Sequence, residues 1–287
     1  MYAVIDIGSN SIRLMFHNGE RTIMKMVKTT RLAEGLAETG MLSDSAIERS
    51  LKAVTEFIAI AKERYNIFPY IFATEAVRSA SNGYVLTTLI CEKCDALVDI
   101  VSGTKEAELG FAGVYTSGTI CVVDIGGAST EIIVGNNKGI NYSKSLKIGA
   151  VRLKDICGED EEVLDRYLTE QLKKYGNVPK ADEVVAIGGT AGTIVAITLG
   201  MKEYESSRVH NYILKESVIA SCYNMVRQTP LEKRKDIIGL MAGREEIIVG
   251  AMYELLLIMR KLGVDKVRVS ESDNLEGYLK TCILVNK

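Results

Sequence analysis

The chain has 287 residues, 35 basic against 37 acidic, a net charge of −2, and 47% hydrophobic and 25% charged residues. That is ordinary globular composition, which excludes disordered and collagenous classes and provides no global basic field for nucleic acid. The longest apolar stretch, residues 247–259, is broken by Gly250 and Glu254 and is too short to span a bilayer. The N-terminus runs straight into an apolar strand with no cationic flank, so a cytoplasmic protein is expected, with neither DNA nor a membrane as partner.

In chain order, residues 3–16 read AVIDIGSNSIRLMF: an apolar run ending in Asp-Ile-Gly, a small polar turn, and a second apolar run. This pattern predicts strand, tight turn, strand. A third strand follows over 21–28. A helix over 43–65 carries Ile47, Leu51, Val54, Ile58 and Ala61 on one face, with Ser43 or Ser45 as its cap. A short strand is predicted at 69–74, broken helix over 76–94, a strand at 97–101 and a helix over 105–115. Residues 121–134 then read CVVDIGGASTEIIV, repeating the opening at an offset of 118. Val4/Val122, Asp6/Asp124, Gly8/Gly126 and Ser11/Ser129 coincide, and Glu131 falls opposite Arg13. After this second hairpin come a helix near 160–175, a buried strand at 184–187 and a helix from 191. Helices near 216–227 and 243–262, a strand at 266–270 and a helix from about 274 complete the order. Strands alternate with helices, so the class is α/β. Two copies of this unit about half a chain apart imply duplicated domains, with residues 1–118 and 119–287 as the two units.

Each repeated turn has the chemistry of an anion site. Glycine lets a phosphate approach the backbone, Ser and Asn add donors, and successive turn N–H groups form a nest. An Asp at the strand end suits a hard oxygen-binding cation. One such turn is an ordinary hairpin; two facing turns could clamp one polyphosphate. Gly188-Gly189-Thr190 follows a buried strand and opens a helix, a geometry that suits an anion or nucleotide, with a plain strand-to-helix turn as the equal alternative. It is not a Walker A loop. His17 and His210 are the only histidines, so a multi-histidine metal site is excluded. Cys91 and Cys94 form a lone C-x-x-C without a second pair.

The duplicated Asp-x-Gly hairpin resembles that of the actin, sugar kinase and Hsp70 superfamily. Within it the chain resembles the exopolyphosphatase/guanosine pentaphosphate phosphatase (Ppx/GppA) family, in its short two-domain form. The motifs that carry this are residues 6–14 (DIGSNSIRL), 30–36 (TRLAEGL), 73–83 (ATEAVRSASNG), 102–107 (SGTKEA), 124–131 (DIGGASTE), 149–153 (GAVRL) and 188–191 (GGTA), in the family's order along essentially the whole chain. The resemblance implies duplicated actin-like (ribonuclease H-like) domains around an interdomain cleft, with the last helix packing back on the first domain. It implies hydrolysis of a terminal phosphoanhydride of polyphosphate or guanosine pentaphosphate, with Mg²⁺ or Mn²⁺ as cofactor. It places Glu106 and Glu131 as catalytic residues and Asp6 and Asp124 at the metal. Gly8, Ser9, Asn10, Ser11, Arg78, Gly126, Gly127, Ala128 and Ser129 are then the phosphate ligands, with Gly188, Gly189 and Thr190 near any nucleoside. Arg31 and Arg152 are weaker phosphate candidates. A non-enzymatic nucleotide sensor and an ATP-dependent kinase stay open as alternatives, as does a homodimer.

Two departures stand out. Ala128 replaces the third glycine usual in the second loop, and where the family has a Gly-Leu-Arg-Glu-Gly element after a Ser-Asp pair near the C-terminus this chain reads Ser270-Glu271-Ser272-Asp273-Asn274-Leu275-Glu276-Gly277, without the Arg. The chain also ends where longer members continue, so less surface for gripping long polymers is expected.

Overall fold

In the computed structural model, which describes residues 1–285, the repeat appears as two sheets of matching topology. The first half contains β1 (Tyr2–Ile7), β2 (Ser11–His17), β3 (Thr22–Thr29), α1 (Leu36–Thr39), α2 (Asp44–Tyr65), β4 (Tyr70–Ala73), α3 (Glu75–Ser79), α4 (Gly83–Cys94), β5 (Val98–Ile100) and α5 (Gly103–Val114). Its sheet order is β3-β2-β1-β4-β5. The second half contains β6 (Ile120–Ile125), β7 (Thr130–Asn136), β8 (Gly139–Leu146), α6 (Ala150–Cys157), α7 (Glu161–Lys173), β9 (Glu183–Ile187), α8 (Gly189–Thr198), α9 (Ser206–Val209), β10 (Ile213–Lys215), α10 (Glu216–Gln228), α11 (Leu231–Arg234), α12 (Ile248–Leu262), β11 (Lys266–Val269) and α13 (Asn274–Tyr278), the last continuing in π-helical turns over Leu279–Leu284. Its sheet order is β8-β7-β6-β9-β11-β10. In each sheet the first three strands are antiparallel and the crossover strands add in parallel, and the second sheet gains β10, antiparallel to β11, at its edge.

The central strands β1 and β6 are apolar on both faces because helices cover both sides, as parallel crossovers require. The apolar face foreseen for α2 is buried, and Ser43 caps the helix: its Oγ accepts from the Ala46 N–H at 3.2 Å. Short elements α1, α9, β10 and α11 were not expected, and three longer ones departed from expectation. β8 is an edge strand whose mostly exposed, polar sequence carries little strand signal. α6 starts after Gly149, at φ +145°, without a side-chain cap. The helix expected over 243–262 begins only at Ile248, leaving 241–247 as turns.

The C-terminal helix crosses back to the first sheet. Leu275, Tyr278, Leu279 and Ile283 pack with Val4, Met15, Phe72, Val101 and Leu109, and the Tyr278 ring stacks on Phe72 at 4.6 Å. α13 lies directly on the backbone of α5, since a Cβ on Gly277 would overlap the Leu109 carbonyl and one on Gly113 the Asp273 carbonyl. That close approach sets where residues 273–276 stand. No helix among the described residues is long and apolar enough to cross a membrane.

Candidate active site

The two hairpin turns have the same internal geometry. The Gly8 N–H donates to the Ser11 carbonyl at 3.1 Å and the Gly126 N–H to the Ser129 carbonyl at 3.0 Å. The tips meet: a Cβ on Gly127 would lie 2.8 Å from Ser9 Cβ and 3.1 Å from the Asn10 nitrogen, so only glycine fits there. Beside this junction runs a cleft of about 1320 Å³ between the halves. Residues 8–11, 126, 127 and 129 line it, with Asp6, Asp124, Glu106 and Glu131. The first turn is braced by the 30–33 segment, whose Thr30 and Arg31 N–H groups donate to the Asn10 carbonyl and whose Ala33 N–H donates to that of Ser9. Asn10 presents a buried side chain whose two polar atoms have no hydrogen-bond partner among the described residues.

Pairing across each hairpin sets the electrostatics. In the first, Asp6 stands opposite Arg13; in the second, Asp124 stands opposite Glu131. Arg13 Nε donates to Asp6 Oδ2 at 3.0 Å, and its Nη1 pairs with Asp273. Burial raises the Asp6 carboxyl in spite of Arg13, and Asp6 Oδ1 is buried without a partner. Among the described residues Asp124 has one side-chain hydrogen-bond partner, Asn274, whose Nδ2 donates to Oδ2 at 3.2 Å. Burial pushes Asp124 up to about 6, with Asp273 and Asp6 adding repulsion and Arg13 opposing it. Burial, then the Glu106 and Asp124 charges, drive Glu131 well above its ordinary value, against a 2.5 Å bond from the Ser145 hydroxyl. Glu106, in the first turn of α5, is pushed by burial to about 8, opposed by Arg78 at 3.0 Å.

The other expected site residues are placed as follows. Arg78 bridges Glu106 and Glu75 and donates to the Val101 carbonyl at 2.6 Å. It braces Glu106 and is not among the residues lining the cleft. Ala128 is buried under the second turn, its carbonyl held by Arg152 Nε at 2.9 Å, and it does not line the cleft either. Its φ is not in the left-handed region, so alanine stands there without backbone strain. Arg31 lines the cleft and reaches Glu246 of the other half at 3.4 Å. Gly188 has φ +86° and ends β9, and Gly189 and Thr190 open α8 at the cleft wall, with the Thr190 hydroxyl buried and unpartnered.

Several residues that matter here were not singled out from sequence. Arg244 lies against Gly189, where any side chain would overlap its guanidinium. It has no carboxylate partner among the described residues, and burial lowers it to about 10. Asp273 and Asn274 also line the cleft, together with Lys25, one of the scattered lysines that the sequence offers for a basic groove. The signal for Asp273 and Asn274 was the altered C-terminal motif; for Arg13 it was the repeat alignment; for Arg244 there was none.

The Ppx/GppA phosphatase family profile matches residues 15–284. The chain belongs to the Ppx/GppA phosphatase family. It is 30% identical to the bifunctional 3-dehydroquinate synthase/phosphatase of Fusobacterium nucleatum, over 96% of this chain and 46% of that protein, and so spans about half of that relative's length. It is 28% identical to exopolyphosphatase 2 of Mycobacterium tuberculosis H37Rv, over 96% of both chains. Among solved structures, an exopolyphosphatase from Cytophaga hutchinsonii superposes with a TM-score of 0.87 at 25% identity, covering 98% of this chain and 96% of the other. Fold class and family therefore agree with the expectation from sequence: an α/β member of the Ppx/GppA phosphatase family.

Proposed function

We propose that the chain, acting in the cytoplasm, hydrolyses the terminal phosphoanhydride of inorganic polyphosphate or guanosine pentaphosphate by attack of water. The observation that carries this reading is the group of carboxyls, buried Glu106 and Glu131 with half-buried Asp124, at the cleft beside two anion-binding turns. Grouped carboxyls held above their ordinary values mark sites built for proton transfer or for a cation.

In this reading the terminal phosphoryl group lies along the joined turns of the units 1–118 and 119–287, held by backbone N–H groups and by Ser9, Asn10, Ser11 and Ser129. Glu106, at about 8, has a proton affinity close to neutrality, where a general base is most effective. Arg78 stabilises its ionised form, so Glu106 takes a proton from water as the water attacks. Glu131, oriented by the Ser145 hydroxyl, fixes the direction of that water.

The donor set fits a hard cation such as Mg²⁺ or Mn²⁺. Asp6 Oδ1 is an orphaned buried oxygen, and Asp124 carries uncompensated charge. Among the described residues no three His, Cys, Asp or Glu side chains form a metal cluster of their own. That agrees with an ion held by one or two carboxylates together with substrate oxygens and water. When bound, such an ion would offset charge on the transferring phosphoryl group.

The test is phosphate release from tripolyphosphate and guanosine pentaphosphate side by side, with Glu106→Gln as the variant. A fall in kcat of roughly 10²–10⁴ with KM retained is expected. Wild-type turnover in the variant would overturn the role of Glu106, and release from neither substrate would overturn the reading.

A further inference from the structure

Two cations on the cleft wall near the turns, Arg13 and Lys25, are already in use. Arg13 donates through Nε and Nη2 to Asp6 and through Nη1 to Asp273. Lys25 Nζ lies 2.9 Å from Glu276 Oε2 and 3.8 Å from Asp273 Oδ1, and it also donates to the Glu271 carbonyl. Three carboxylates, Asp6, Asp273 and Glu276, therefore face two cations, and the group is net −1. Asp273 is the shared member and touches both.

Neither cation needs Asp273 to keep its place. Arg13 retains its two bonds to Asp6 across the hairpin, and Lys25 retains Glu276. Nor is Asp273 free to swing away. It caps α13, with Oδ1 accepting from the Leu275 N–H at 2.9 Å, and its backbone N–H donates to Glu276 at 3.0 Å in a capping box. Its backbone is pressed onto Gly113 of α5. A fixed carboxylate thus sits on the two cations that a run of phosphates leaving the turns would meet.

We propose that Asp273 is a specificity-determining residue. Its carboxylate competes with substrate phosphates for Arg13 and Lys25 and holds the cleft to phosphoanhydrides of few phosphates. The physical basis is that affinity for a polyanion grows with each cation free to replace its counterions. The inference rests on the reading of the site as a phosphoanhydride hydrolase and adds to it a limit on substrate length.

Asp273→Asn removes the charge and keeps an oxygen for the helix cap; Asp273→Ser removes the charge and supplies a different good cap. Binding of inorganic tripolyphosphate and of a medium-chain polyphosphate would be measured by calorimetry at several salt concentrations, with magnesium, in the Glu106→Gln background. Both uncharged variants should bind the longer chain roughly three- to ten-fold more tightly, tripolyphosphate by less. The salt slope should steepen by about one for each cation released. Unchanged or weaker binding of the long chain in a variant that melts like its parent overturns the assignment. So does failure of both variants to fold, which would make Asp273 a structural residue. Unchanged binding together with Glu106-dependent hydrolysis would remove only the role of Asp273. Tighter binding without hydrolysis in the Glu106-intact protein would remove only the reading of the reaction.

Discussion

The two hairpins are the same object with opposite electrical character. Both end a central strand in Asp-Ile-Gly, both close through the same glycine-to-serine backbone bond, and both place a side chain opposite the strand-end Asp. In the first hairpin that side chain is Arg13, which with Asp6 forms a neutral brace. In the second it is Glu131, which leaves two carboxyls paired across the strands, Glu131 buried and Asp124 half-buried, with Glu106 close enough to raise Glu131 further. Duplication supplies the fold twice, and a single position, 13 against 131, divides the labour. The first turn is a fixed wall; the second holds surplus negative charge that becomes favourable only when a cation or a proton is present.

The sharpest way to break this comparison is to neutralise each strand-end Asp in turn. Asp124→Asn should cost roughly 10²–10³ in kcat, because the oxygen it loses is one of the few not committed inside the protein. Asp6→Asn should cost less, about ten-fold, since one of its oxygens serves only Arg13; it should lower the melting temperature instead, because Arg13 would lose one of its two carboxylate partners and keep only Asp273. Steady-state kinetics and thermal melting on the pair decide it. Equal kinetic losses would mean that the two turns are equivalent and the division of labour is wrong.

Glu131→Gln sharpens the same point. It keeps the Ser145 hydrogen bond and removes a charge that burial and two neighbours disfavour. We expect kcat to fall by about 10² while the protein becomes no less stable. A loss of stability without a loss of rate would make Glu131 a structural member of β7.

Gly127→Ala probes the contact between the turns. The added methyl would press on Ser9 and force the tips apart. Displacements of this kind cost up to about 10²-fold; here about ten-fold in kcat is expected, with a smaller change in melting temperature. Full activity would show that the tips need not touch for turnover.

The repeat, both strand-end carboxylates and the order of the elements were legible in the sequence, because a strand ending in Asp-x-Gly is a local pattern. The contrast between Arg13 and Glu131 was legible too, as a mismatch in the repeat. Arg78 was visible as a motif residue, but its engagement with Glu75 and Glu106 depends on α3 and α5 meeting, which spacing does not give. Asp273 and Asn274 reach the cleft only because two glycines, Gly113 and Gly277, let α13 lie on α5. Arg244 arrives on a turn where helix was expected. Residues delivered by packing over long sequence separations leave no periodic trace.

The smallest effect tests the charge imbalance without any mutation. In the unfolded chain Asp124 and Glu106 would lose their protons near pH 4. In the folded protein they keep them to about 6 and about 8, chiefly because burial penalises the charged forms. Between those limits the unfolded state binds fewer protons than the folded one, so stability falls as pH rises. The contribution is fully present below about pH 4 and is lost as pH passes through about 6 and then about 8. The metal-free protein should therefore melt a few degrees lower at pH 8 than at pH 5, each raised unit corresponding to about 1.4 kcal/mol at most. Glu106→Gln should flatten the upper part of that slope, because an amide has no proton to lose. Added Mg²⁺ should act in the same direction by supplying the missing positive charge at high pH. Calorimetric melting from pH 5 to 8, with and without the ion, checks both. A melting temperature that rises with pH in the metal-free protein would mean that the second hairpin carries no surplus charge, and the contrast with the first would fall with it.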